Sequence, residues 1–155
     1  MTSAVFIPWE NKLAEIMRKP GGVKVTDALE RAEKNLEIAK ADCLADLDQE
    51  LAELDRLCEE GGRRPDDDLK RRIYDLSNDI VAVAGPFGLG ELGQAAFCLC
   101  ELVDRLRGLG QWNQAAVQVH LSSCRLLRQP APDADRSSVI NELKKLVERV
   151  AVIAE

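Results

Sequence analysis

The chain is poor in aromatic residues, with one tyrosine, two tryptophans and three phenylalanines in 155 residues. Leu, Ala, Glu, Asp and Arg dominate instead, a balance that favours a helical bundle over a sheet protein. Histidine is scarcer still, at a single residue, so a zinc site would have to be gathered from scattered cysteines. Positive charge is in deficit: 21 Lys and Arg stand against 27 Asp and Glu, for a formal charge of −6. That sign argues against a sequence-independent nucleic-acid binder and against an anionic membrane surface. It leaves room for a local basic patch. Long apolar runs are absent too, since no window approaches the roughly 18 apolar residues of a spanning helix. Residues Met1 to Gly22 lack a secretory apolar core and cleavage pattern. The expectation is a soluble cytoplasmic protein with neither a nucleic-acid nor a membrane partner.

Five cysteines are present, Cys43, Cys58, Cys98, Cys100 and Cys124. Their odd number and their positions inside helical patterns suit small buried side chains rather than a disulfide framework. Cys98 and Cys100 cannot form a metal pair on a helix, where residues two apart point in nearly opposite directions. None of the cysteines has a histidine at recognisable catalytic spacing. No metal and no cofactor are expected.

At this length the chain is most simply one domain with a real core. Residues 1–24 form a lead-in: Phe6, Ile7, Trp9, Leu13, Ile16 and Met17, then Pro20-Gly21-Gly22. The Trp9/Leu13/Ile16 spacing predicts a short helix that docks on this chain's bundle or on a neighbour, with the chain's own bundle preferred. Thr26 and Asp27 are good N-terminal cap and first-turn residues for a long helix to about Glu60. Leu29, Leu36, Cys43, Leu47, Leu51, Leu54 and Cys58 keep to one side of it. Pro65 and Asp66-Asp67-Asp68 open the next helix, with Leu69, Ile73, Leu76, Ile80 and Val83 inward. Gly85-Pro86 stops it. A further helix carries Leu92, Ala96, Leu99, Val103 and Leu106 to Gly108-Leu109-Gly110. Another runs from Trp112 to Arg128 on Val117, Leu121 and Cys124. After Pro130 and Pro132, Asp133 or Asp135 caps a last helix bearing Val139, Leu143, Leu146, Val150 and Ile153. No strand pattern survives, so the fold class is all-α, a bundle whose short connections make neighbours antiparallel.

One segment stands apart: LSNDIVAVAGPFGLGEL, residues 76–92. Asn78 falls about 180° from the centre of its helix's expected core stripe. Arg71, Tyr74, Asp75, Val81, Ala82 and Gly85 share that outward half. Tyr74, Val81 and Ala82 make it more apolar than an ordinary solvated face, which suggests a contact surface or a face covered by another element. The glycine-rich run Gly85 to Gly90 lacks Lys-Ser/Thr and a preceding strand, so it is no phosphate loop. Asp66-Asp67-Asp68 has too few alternating ligands for a calcium loop.

Asn78-Asp79-Ile80-Val81-Ala82, the small-residue run Val83-Ala84-Gly85-Pro86 and the turn Phe87-Gly88 together resemble the histidine phosphotransfer (HPt) domains of bacterial phosphorelays. In that family H-x-L/I-K-G on a bundle helix is followed by a small-residue run and a Phe-Gly turn. Residues 95–106 and 115–128 resemble the family's two following helices. Asn11-Lys12-Leu13 and the Ala-rich helix after Thr26 are similar to a bacterial subgroup. The resemblance implies an antiparallel four-helix bundle of HPt type over 26–128, within a domain spanning 25–155. An N-terminal lead-in precedes it, and an additional helix at about 136–155 follows. It places Asn78 at the phosphorylated histidine, Val81 at the lysine and Ala82 at the glycine.

The substitutions remove chemistry. A neutral imidazole nitrogen can attack an aspartyl phosphate, whereas the carboxamide nitrogen of Asn78 has its lone pair delocalised into the carbonyl. Val81 supplies none of the positive charge that a lysine brings to phosphoryl oxygens. The resemblance therefore implies a protein without transfer activity. It would bind a response-regulator receiver domain or a histidine kinase as adaptor or competitor. The docking surface would be Arg71, Tyr74, Asp75, Asn78, Val81, Ala82 and Gly85, beside the turn Gly85-Pro86-Phe87-Gly88. Two alternatives stand beside it. His120, expected about 60° from its helix's apolar centre and so at the core's edge, would be the phosphoacceptor of an active protein. Or the chain is a structural bundle whose Tyr74/Val81/Ala82 surface closes a homodimer.

Overall fold

The computed structural model describes residues 12–18, 21–130 and 135–152 of the chain. Among them every regular element is a helix: α1 (Lys12–Arg18), α2 (Val25–Gly61), α3 (Asp67–Ala84), α4 (Gly90–Gly108), α5 (Gln114–Arg128) and α6 (Arg136–Val152). The all-α expectation holds. No helix among them is long and apolar enough to cross a membrane. The chain divides into two compact units, residues 1–39 and 40–155.

The first unit holds α1 and the beginning of α2. Phe6, Ile7 and Trp9 lie outside the described residues, and Ile16 on α1 is exposed. The first helical bond of α2 runs from the Ala28 N–H to the Lys24 carbonyl at 3.0 Å. Thr26 therefore sits inside the first turn and is not the cap, its hydroxyl donating instead to Asp27. Leu29 and Leu36 were expected in the core. They are 58% and 44% exposed. Helical periodicity identifies an apolar face, but it cannot say whether anything covers that face.

The second unit builds the core. Along α2, Leu47, Leu51, Leu54, Leu57 and Cys58 are buried. Side chains tie this part of α2 to two neighbours. Arg72 of α3 reaches Glu53 at 3.1 Å. Arg128 of α5 grips both oxygens of Asp48 at 2.8 and 2.9 Å, and Arg125 pairs with Asp55. The Gln114 amide donates to the Cys58 carbonyl at 2.8 Å. Helix α4 then packs on α3, α5 and α6, and α5 also touches α6.

That central position explains α4. All five of its expected inward residues are buried, and so are Ala95, Cys98, Cys100 and Leu102. Cys98 and Cys100 point apart, yet both are buried because helices approach α4 from more than one side. Burial pushes the Cys58 and Cys100 thiols up to about 11 and that of Cys124 to about 12. All five cysteines are free.

The breaks between helices follow their residue types. Asp66 caps α3 by accepting from the Leu69 N–H at 2.8 Å. A Cβ at Gly61 would stand 2.5 Å from Leu69 and 2.9 Å from Pro65, so only glycine fits that crossing. At the far end of α3 the Leu89 N–H bonds the Ala84 carbonyl and the Gly88 N–H bonds that of Gly85. Gly88 at φ 75° supplies the left-handed residue this double cap requires. Asp135 accepts from the Ser138 N–H at 3.1 Å, as expected of an α6 cap, while Asp133 lies outside the described residues. Along α6, Leu143 and Val150 are buried as expected, joined by Ile140 and Val147, with Val139 and Leu146 half-buried. Ile153 is not among the described residues.

Candidate functional site on helix α3

The buried line of α3 is Ile73, Ser77, Ile80 and Ala84. Leu69, Leu76 and Val83, expected at its centre, are half-buried at its flank. The line is rotated because two small residues lie on it. Ala84 meets α4 so closely that a Cβ on Gly93 would be 3.4 Å from its own. Ser77 is fully buried, and its hydroxyl donates to the Ile73 carbonyl one turn back at 2.7 Å, which removes the cost of burying it. Measured from this line, Asn78 lies about 130° around the helix rather than 180°.

Asn78 is nonetheless exposed, together with Arg71, Asp75, Ala82 and Gly85. Tyr74 and Val81 are half-buried and pack against the core from the side. The Cys100 thiol sits 3.8 Å from the Tyr74 carbonyl, holding that part of α3 against α4. Five of these seven residues are therefore exposed on one side of α3, while the two largest apolar ones, Tyr74 and Val81, are partly withdrawn into the core. In the turn below it Pro86 and Gly88 are exposed and Phe87 is half-buried.

Charge on this face is acidic. Arg71 lies 3.9 Å from Asp75, one turn along the helix, and is offset by it. On the α2 side Asp79 faces Glu50. Burial, then Asp79, then Asp46 raise the Glu50 carboxyl above the usual carboxylate range, and one of its oxygens is buried without a hydrogen-bond partner. Glu50 was missed in the sequence although its signal was there: at ~100° per residue it falls on the same arc as Leu47, Leu54 and Leu57. Among the described residues Arg71 and Asp75 offset each other and Asp79 is left over, so a phosphoryl group at position 78 would meet net negative charge, which is repulsive.

His120 was expected at the edge of the core. It is fully buried. Its Nδ1 lies 2.8 Å from the Ala116 carbonyl, a contact that only a protonated Nδ1 can make as a donor. Nε2 is left buried without a partner. Burial holds the imidazole below the usual histidine range, partly opposed by the Ala116 carbonyl. The correction follows from neighbours invisible in one helix's pattern: α4 and α6 both pack near α5, widening its buried arc to Ala116, Val117, His120, Leu121, Cys124 and Leu127. The unpaired nitrogen has no route to a partner's phosphate.

Among the described residues no group of three or more His, Cys, Asp or Glu side chains is arranged to hold a metal ion. Compared with protein-family models, with curated proteins and with solved structures, the chain gives no match.

Proposed function

We propose that the chain is a non-catalytic, HPt-like binding protein of two-component signalling. In this reading α2 to α5 form an antiparallel four-helix bundle of HPt type, α6 is the additional helix, and the Asn78 face docks a receiver domain or a histidine kinase. The protein acts there as an adaptor or competitor. The observation that carries the reading is the joint exposure of Asn78 and Ala82 above half-buried Tyr74 and Val81. Such a face is presented for contact, with an amide where a nucleophile would stand and with Arg71 offset by Asp75. The acidic rim of Asp75 and Asp79 suits a partner that brings positive charge. The depth of His120 weighs against transfer through that residue.

The test is a titration of the full chain with receiver and kinase domains of its own cell. Ala82→Glu adds charge and bulk at the middle of the face without touching the core. It is expected to weaken binding about tenfold or more, equivalent to about 1.4 kcal/mol, with helix content unchanged. Undiminished affinity would rule this face out, and absence of binding to every receiver and kinase would end the signalling reading.

A further inference from the structure

We propose that the N-terminal stretch of α2, Val25 to Cys43, pairs with the same stretch of a second copy of this chain as an antiparallel coiled coil. The inference is independent of the reading of Asn78. Val25, Leu29, Ala32, Leu36, Ala39 and Cys43 follow one another at intervals of four, three, four, three and four residues. That is the alternating step of a coiled-coil seam. All six belong to one helix. The first five are exposed and Cys43 is half-buried, with Val25 75% exposed. An apolar seam of this spacing, exposed among the described residues, is a surface for another helix.

Its residue sizes choose the partner and the direction. In a parallel pair each layer faces itself, so Leu would meet Leu and Ala would meet Ala, leaving gaps at positions 32 and 39. Running the second copy in reverse about residue 34 sets Leu29 against Ala39, Ala32 against Leu36, and Val25 against Cys43. Every layer then joins a larger side chain to a smaller one. Charge agrees with this. Glu33 and Lys40 flank the same edge of the seam, seven residues apart. Side chains lean toward the N-terminus of their own helix, so in the reversed register Glu33 and the second copy's Lys40 lean toward each other. The two-fold axis repeats the pair. Parallel pairing would oppose Ala28 to Glu33 and Asn35 to Lys40, with no opposite charges. The seam is complementary to itself in one direction only.

Sedimentation of the full chain tests the pairing, and disulfide trapping tests its direction. Wild type is expected at twice the chain mass. Leu36→Glu is expected at the single-chain mass with its circular dichroism spectrum kept. Under mild oxidation Val25→Cys should give a covalent dimer through Cys43 of the second copy, and adding Cys43→Ser should abolish the link. Single-chain mass for wild type at every concentration would overturn the proposal. So would a Cys43-to-Cys43 link in wild type, or a link that survives Cys43→Ser, since both require parallel helices. A dimer dissociated by Val81→Asp but not by Leu36→Glu would move the interface to α3 and refute this one.

Discussion

Positions 78 and 120 divide between them what a phosphotransfer site holds at one place. Asn78 has the exposure and no nucleophile, and His120 has the nucleophile and no exposure. Asn78 stands on an exposed side of α3, where its side chain contributes little to packing. His120 stands on a helix with neighbours on several sides, where it fills core volume and engages only the Ala116 carbonyl. Exposure belongs to the helix's place in the fold, while reactivity belongs to the residue, and in this chain the two do not coincide.

The sharpest way to break this contrast is to reunite the two properties. Asn78→His with Val81→Lys installs an accessible imidazole beside a cation that offsets the remaining negative charge of Asp79. Incubated with a phosphorylated receiver, this variant is expected to gain an acid-labile phosphoryl label that wild type lacks. If neither protein is labelled by any receiver, the idea that position 78 is a vacated transfer site loses its footing.

Next in size is stability. Removing the buried ring in His120→Ala should cost about 2–4 kcal/mol through the cavity it leaves. Asn78→Ala should stay within about 0.5 kcal/mol. Denaturant midpoints of the two variants decide the matter, and similar losses at both sites would mean that one of them is misassigned.

The smallest effect is with pH. His120 holds its proton less tightly folded than unfolded, so the unfolded chain binds more protons as pH falls. Its contribution is complete while the imidazole is neutral. It erodes below the unfolded value of about 6.5, at no more than about 1.4 kcal/mol per pH unit. Glu50, with its raised pKa, has the opposite sign, its proton being favoured by folding. Comparing wild type with His120→Gln between neutral and mildly acidic pH isolates the histidine, and equal slopes would show that its burial is not felt.

Much of the fold was readable in one dimension. Helix ends are written in Asp66, Gly88 and Asp135, and the apolar repeat names most buried residues of α4. Burial that depends on a second helix was not readable. Ser77 and Ala84 lie inside because α4 comes close there. Leu29 and Leu36 have the pattern of core residues and are exposed. The apolar-and-polar composition of the Asn78 face was legible, since it rests on local periodicity. Its acidity was legible in Asp75 and Asp79, which belong to α3 itself, whereas the meeting of Asp79 with Glu50 of α2 joins positions far apart in sequence and was not.

Pro86 carries a consequence of its own. A proline has no N–H to give, so the Ala82 carbonyl, one turn earlier, is denied the donor that other carbonyls of α3 receive. Ala82 is an exposed member of the face that bears Asn78. That carbonyl must therefore find its donor outside the helix ladder, in water or in a docked partner, whichever side chains decorate the face. A partner that donates to this oxygen would tolerate drift at Asn78 and Val81 while remaining sensitive to Pro86. Restoring an N–H at that position would close the acceptor without altering any side chain on the face.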